Sequence, residues 1–305
     1  MSSIERISVI GAGAMGATFA CRFFDMDKNC IFLLAEADRY DRLREKGLIV
    51  NNRHYSLPLI KPEDKTSPSD LIIVAVKHHH LQKAIQDMGN IVGEKSLILS
   101  VMNGIDSEER IGNVYGMDKV LYSIAIDIDA VREENRITYT RPGRLFFGEA
   151  KNQILTERVK HVQSLFDRAG IAYETPEDMV RMLWWKFMIN VGINQASALL
   201  RAPYGVFQTI QEARELMESA MRETMSIAKA ARVNLYEEDM DNWYSVLSGL
   251  SPHGKTSMLQ DIEAKRKTEV EMFAGKVIEL GMKYGIPTPV NLTIYRSIKV
   301  MERYF

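Results

Sequence analysis

The segment Ile7-Ser8-Val9-Ile10-Gly11-Ala12-Gly13-Ala14-Met15-Gly16 leaves this chain few choices of architecture. A short apolar, β-branched run suits a buried strand, and a G-x-G-x-x-G turn follows it before the helical stretch Ala17–Asp25. In this pattern Gly11 permits a tight turn and Gly13 lets the backbone approach a pyrophosphate. Gly16 lets helix and strand pack closely, and the helix N-terminus receives negative charge. Glycines alone would indicate no more than a tight turn. With a strand before them and a helix after, Gly11, Ala12, Gly13, Ala14, Met15 and Gly16 form a candidate dinucleotide-binding loop.

The alternation continues. Strand-like runs at Arg6–Ile10, Ile31–Leu34, Leu71–Val76 and Leu97–Val101 are separated by helical stretches such as Leu81–Val92, which predicts a parallel sheet with helices on both faces. Lys119–Asp127, Arg136–Arg141 and Arg144–Gly148 crowd together and predict antiparallel or mixed edge strands, with Pro142-Gly143 as a turn. After Pro176 the texture becomes helical, with helices expected near 180–200, 208–232, 236–248, 258–284 and 288–304. Gly285-Ile286-Pro287 breaks the chain before the last of them. The predicted fold is α/β then all-α: a Rossmann-type domain over residues 1–177 and a helical substrate domain over 178–305, with a ligand cleft between them.

Composition bounds the partners. The 305 residues carry 39 basic and 40 acidic side chains, a formal charge of −1, which offers no general attraction for nucleic acid or an anionic membrane. No apolar run reaches the roughly 18 residues of a membrane span, and Met1 to Arg6 lead into a strand without a signal-like apolar segment. Cys21 and Cys30 make neither a disulfide scaffold nor a metal-ligand spacing. A cytoplasmic protein without a metal is expected.

Three positions in the first domain sit where a cofactor would. Glu36 follows the second strand, twenty residues past Gly16, where an acidic side chain bonds the ribose 2′-hydroxyl of NAD and repels the 2′-phosphate of NADP. Arg39 could bind that phosphate instead, and a solvated charged loop would explain both residues. Lys77 and Asn103 close the third and fourth well-marked strands, the edge at which ligands of open α/β sheets lie. His78, His79 and His80 do not share a helical face and are expected in a solvated loop.

In the helical half, Leu183 to Asn194 is apolar nearly all round except at Lys186, Asn190 and Asn194. In an α-helix these recur at i, i+4 and i+8 and line one face over about 12 Å. An unpaired buried polar group costs about 1–3 kcal/mol, so the stripe needs partners, either structural or ligand. A buried lysine has a lowered pKa, which suits proton transfer. Ser257-Met258-Leu259-Gln260 fits a capping box with Ser257 as N-cap. Lys265-Arg266-Lys267 reads as a solvated face, and Glu269 as an ordinary helical glutamate.

Taken together, Gly11-x-Gly13-x-x-Gly16, Val76-Lys77, Met102-Asn103-Gly104, Trp185-Lys186-x-x-x-Asn190-x-x-x-Asn194 and Ser257-Met258-Leu259-Gln260-Asp261 with Thr268-Glu269 resemble the ketopantoate reductase (2-dehydropantoate 2-reductase) family over essentially the whole length. The resemblance implies reduction of the 2-oxo acid 2-dehydropantoate to (R)-pantoate by hydride transfer from a nicotinamide cofactor. It implies Lys186 as proton donor with Asn190 beside it, and Asn103, Asn190, Asn194 and Ser257 as substrate ligands. It places Lys77 and Asn103 between cofactor and substrate and gives Glu269 to the cofactor or the active-site network.

The family is usually NADPH-dependent, whereas Glu36 favours NADH. Tyr204 stands roughly where some members have another substrate asparagine. Ser257 and Glu269 would lie about 18 Å apart on one continuous helix. An NAD-dependent D-2-hydroxy acid dehydrogenase of the same family, a β-hydroxyacid dehydrogenase relative and a non-catalytic dinucleotide sensor are the alternatives. A homodimer is a compatible assembly.

Overall fold

The computed structural model describes residues 4–304, which form two compact units dividing between Val180 and Arg181. In the first unit the strands are β1 (Ile7–Ile10), β2 (Ile31–Leu34), β3 (Leu48–Val50), β4 (Arg53–Tyr55), β5 (Leu59–Ile60) and β6 (Leu71–Val74). They continue as β7 (Leu97–Ser100), β8 (Val120–Ile128), β9 (Val131–Glu133), β10 (Arg136–Thr138), β11 (Pro142–Gly148) and β12 (Tyr173–Glu174). Helices α1 (Ala14–Met26), α2 (Ala37–Lys46), α3 (Leu81–Asp87), α4 (Ser107–Tyr115) and α5 (Glu157–Ala169) connect them.

The main sheet has eight strands in the order β12-β11-β8-β7-β6-β1-β2-β5. From β5 to β8 every pairing is parallel, and β11 joins β8 antiparallel, so the edge is mixed. β1, β6 and β7 are buried at every residue, because helices cover both faces of the sheet. Leu71 and Ile73 enter one apolar cluster and Ile72 and Val74 the other, the period-two alternation of a strand buried on both sides.

Three expectations fail locally. Pro142-Gly143 is not a turn but the start of β11, opposite Ile128, where a first-residue proline needs no ladder N–H. The Arg136–Arg141 strand does not join the main sheet: β10 belongs to a separate four-stranded sheet, β4-β3-β10-β9. The Leu81–Val92 helix ends at Asp87 and passes into a 3-10 turn over Gly89–Ile91.

The second unit is helical: α6 (Met179–Ile189, beginning just before the division), α7 (Gln195–Leu200), α8 (Tyr204–Thr209), α9 (Gln211–Ala230), α10 (Glu237–Ser248), α11 (Ser257–Glu263), α12 (Lys276–Tyr284) and α13 (Pro289–Met301). Met188, Ile193, Phe207, Met217, Met221 and Trp243 fill much of its core. Two long helices expected from the sequence are interrupted. The 180–200 helix contains a π-helical turn at Asn190–Asn194, and the 258–284 helix stops at Glu263 and resumes as a second π-helical turn at Glu271–Gly275.

Candidate functional site

The glycine loop separates into two kinds of glycine. Gly11 has φ +100°, and a Cβ there would lie 2.5 Å from the Ala75 carbonyl oxygen. A Cβ on Gly16 would lie 1.9 Å from the Gly11 carbonyl oxygen. The fold itself demands these two. Gly13 has ordinary extended backbone and would place a Cβ no nearer than 4.0 Å to the Ala75 oxygen. The space over Gly13 is thus reserved by the sequence but not filled by the protein. Gly13 is also the N-cap of α1, makes no side-chain cap, and is followed by a first turn without an acidic residue. These features fit a dinucleotide pyrophosphate.

Beside the loop a cleft of 330 Å³ opens between the ends of β1, β2 and β6, with Glu36, Arg39, Arg42 and Lys83 among its lining. Glu36 is the N-cap residue of α2 and makes no side-chain cap. Its Oε2 lies 2.9 Å from Lys83 Nζ, which also holds Asp87 Oδ1 at 2.6 Å. Glu36 therefore enters the cleft as half of an ion pair rather than as a lone negative charge.

Lys77 and Asn103 occupy equivalent places. Val74 and Ser100 are register partners on adjacent parallel strands, and each residue lies three positions beyond its strand's end. Both are half-buried. The histidines that follow Lys77 are not a loop: His78–His80 form a 3-10 turn, with His78 Nδ1 3.9 Å from Asp106 Oδ1 and His79 and His80 exposed. Among the described residues no group of His, Cys, Asp and Glu could hold a metal ion.

In the helical unit, Lys186 lies near the end of α6 and is half-buried, less enclosed than the apolar sequence around it suggests. Asn190 opens the π-helical turn and Asn194 closes it, so the two asparagines are not on an α-helical stripe. They still meet: Asn194 Nδ2 donates to Asn190 Oδ1 at 2.9 Å. The Nδ2 of Asn190 is buried and has no acceptor among the described residues.

Gln195, which drew no attention in the sequence, secures this turn. Its Nε2 donates to the Val191 carbonyl at 2.7 Å, and its Oε1 accepts from Ala274 N at 2.8 Å in the second π-helical turn. Gly192 lies against α9, where a Cβ would come within 2.5 Å of Met221 Cε. π-Helical turns recur at functional sites because they re-aim side chains within a helix.

Ser257 is not the cap of α11. Thr256 is the N-cap: its Oγ1 accepts from Leu259 N at 3.2 Å and donates to Ser197 Oγ at 3.1 Å. Ser257, one residue on, is exposed with its hydroxyl not engaged in that cap. The break after Glu263 also removes the single-helix spacing between Ser257 and Glu269, which is half-buried just ahead of the second π-helical turn. Lys265-Arg266-Lys267 is exposed, but Arg266 Nε pairs with the buried Asp261 at 2.9 Å. Tyr204 begins α8, its N–H bonded to the Gly254 carbonyl at 3.0 Å.

A parallel sheet with a glycine fingerprint, followed by a helical unit carrying a lysine and paired asparagines, defines a Rossmann-type oxidoreductase with a separate all-α unit. The chain belongs to the ketopantoate reductase family: residues 7–152 match "Ketopantoate reductase PanE/ApbA" and residues 178–302 match its C-terminal part. It is 26% identical to a 2-dehydropantoate 2-reductase of Aquifex aeolicus, covering 99% of this chain and 98% of the relative.

Among solved structures it is similar to D-mandelate dehydrogenase with NADH and anilino(oxo)acetate, at TM-score 0.88 and 21% identity over 98% of both chains. It is also similar to dimeric ketopantoate reductase from Staphylococcus aureus, at TM-score 0.80 and 22% identity over 98% of this chain and 99% of that one. No helix among the described residues is long and apolar enough to cross a membrane.

Proposed function

We propose that the protein reduces the ketone of a 2-oxo acid, 2-dehydropantoate to (R)-pantoate, with NADPH as the reductant. The observation that carries the reading is the Nδ2 of Asn190, a buried donor with no acceptor among the described residues. Such an atom is costly unless a ligand oxygen completes it.

When bound at the Gly11–Gly16 loop, a reduced nicotinamide supplies the hydride for the ketone carbon. Lys186 donates a proton from Nζ to the ketone oxygen as negative charge develops there, so the carbonyl becomes an alcohol. Asn190 donates to the substrate oxygen, and Asn194 holds Asn190 in the orientation that does so. Asn103 and the Ser257 hydroxyl bind the substrate, Ser257 at its carboxylate. Lys77 and Glu269 serve the cofactor. NADPH is favoured because Lys83 offsets Glu36 while Arg39 and Arg42 line the same cleft.

A cytoplasmic setting suits Cys21 and Cys30, both free and buried, whose thiols burial pushes up to about 12 and about 11. The dimeric Staphylococcus aureus relative supports a homodimer.

The second reading is an NAD-dependent D-2-hydroxy acid dehydrogenase, favoured by the carboxylate of Glu36 in the cleft and by the similarity to D-mandelate dehydrogenase with NADH. Purified protein with 2-dehydropantoate or phenylglyoxylate, each with NADPH or NADH, separates the two through loss of reduced-nicotinamide absorbance. Fastest turnover with 2-dehydropantoate and NADPH is expected. Preference for phenylglyoxylate with NADH would establish the second reading, and cofactor binding without turnover of either acid would point to a sensor.

A further inference from the structure

Arg132 stands on β9, in the small sheet rather than the main one. Its Nη1 donates to the carbonyl of Ala12, inside the glycine loop and 120 residues away in sequence. Its Nε donates to the Glu134 carbonyl at 2.6 Å, which fixes the direction of the side chain. Both of these hydrogen bonds go to backbone carbonyls, and among the described residues no carboxylate pairs with this half-buried guanidinium. Its charged neighbours are Arg39 and Arg42, and burial together with their like charges lowers its pKa. Arg39 and Arg42 line the cleft that Gly11 also lines, and Arg132 reaches the next residue of the loop, so three guanidinium groups surround this part of the chain. That arrangement is unfavourable in isolation and is relieved by an anion.

We propose that Arg132 is a cofactor-positioning residue: it holds the glycine loop through Ala12 and brings a positive charge to the phosphates of any dinucleotide bound there. The proposal rests on the reading that this loop takes a nicotinamide dinucleotide. It does not depend on whether NADPH or NADH is preferred, nor on the substrate. A guanidinium has five N–H donors in a fixed fork, so one side chain serves the loop carbonyl and still presents donors to an anion. The small sheet then has a function beyond packing, because it carries this arginine to a loop formed near the start of the chain.

Calorimetric titration with ADP-ribose, which lacks both the nicotinamide and a 2′-phosphate, tests the inference alongside titrations with NADH and NADPH. Arg132→Ala is expected to weaken all three by about tenfold each, the loss of one charge-assisted contact. Arg132→Lys should recover part of the affinity, and Arg132→Gln, which can still donate to Ala12 but carries no charge, should not. The thermal unfolding midpoint of each variant should stay close to the wild type, so that a loss of affinity is not a loss of structure. If Arg132→Ala does not fold, the Lys and Gln variants decide the matter. Unchanged ADP-ribose affinity in folded Arg132→Ala or Arg132→Gln would overturn the proposal. A loss confined to NADPH would also overturn it, since the residue would then serve the 2′-phosphate alone. Failure of the wild type to bind ADP-ribose, NADH or NADPH would instead overturn the cofactor reading, and this inference with it.

Discussion

Asn194 donates to the Oδ1 of Asn190 across one π-helical turn, while the Nδ2 of Asn190 stays buried with no acceptor among the described residues. In an uninterrupted α-helix the two amides would be simple i, i+4 neighbours. Here the turn, the Gln195 side chain and the close approach at Gly192 fix the pair, so one amide orients the other.

Asn190→Ala should therefore separate stability from activity. Removing a buried, unsatisfied donor relieves a cost of about 1–3 kcal/mol, which offsets the lost packing and the lost bond to Asn194. Thermal unfolding should show stability within about 1 kcal/mol of the wild type. The value of kcat/KM should fall by about 100-fold, the loss of a buried hydrogen bond to substrate. A marked loss of stability with near-normal kcat/KM would assign the asparagines to structure alone.

The glycine loop offers a paired test. Gly16→Ala drives a methyl into the Gly11 carbonyl at 1.9 Å, so it should destabilise the first unit by several kcal/mol, of the order of 3. Gly13→Ala has room and ordinary φ, so its Tm should change little. Cofactor affinity in Gly13→Ala should nevertheless fall at least tenfold, because the methyl occupies the space over the loop. Equal binding by Gly13→Ala and wild type in a fluorescence titration would show that no phosphate lies there.

For cofactor choice, Arg39→Ala should weaken NADPH about tenfold and leave NADH unchanged within about twofold. Glu36→Ala should raise the NADPH-to-NADH ratio of kcat/KM, by a modest factor because Lys83 already offsets the carboxylate. Identical ratios in wild type and both variants would place these charges away from the ribose.

A buried carboxylate predicts a pH dependence of stability. Glu108 lies in the first turn of α4, accepts from Ser107 Oγ at 2.8 Å, and burial pushes its pKa from 4.5 up to about 7. Between those values the unfolded chain releases the proton that the folded protein keeps. Stability from this group is thus complete below about pH 4.5 and declines as pH rises, until the folded carboxyl also ionises near pH 7. The loss amounts to about 3 kcal/mol. Glu108→Gln should remove this decline, so denaturant midpoints of variant and wild type should diverge from pH 5 to pH 7.5. Parallel curves would show that Glu108 ionises normally.

The parts legible in the sequence are those set by strong local patterns. The β1 strand, the glycine turn, the Lys77 and Asn103 strand ends and the change to helices after Pro176 all follow from short-range residue order. The small sheet was hidden because its strands are three residues each, too short to show alternation, and because β3 meets β10 across a long sequence gap. Around Asn190 the sequence is apolar on nearly every face, so its periodicity could not distinguish an α-helix from a π-helical turn. At α11 two adjacent hydroxyls competed for the cap, and the tertiary contact between Thr256 and Ser197 decides it. No local rule contains that contact.

The most direct test of the central claim is kcat of Lys186→Ala with 2-dehydropantoate at saturating NADPH, measured beside the Kd for NADPH. A lost proton donor predicts kcat lower by about 100- to 10,000-fold with Kd for NADPH within about threefold of wild type. A folded Lys186→Ala variant that turns over within tenfold of the wild type would contradict the assignment.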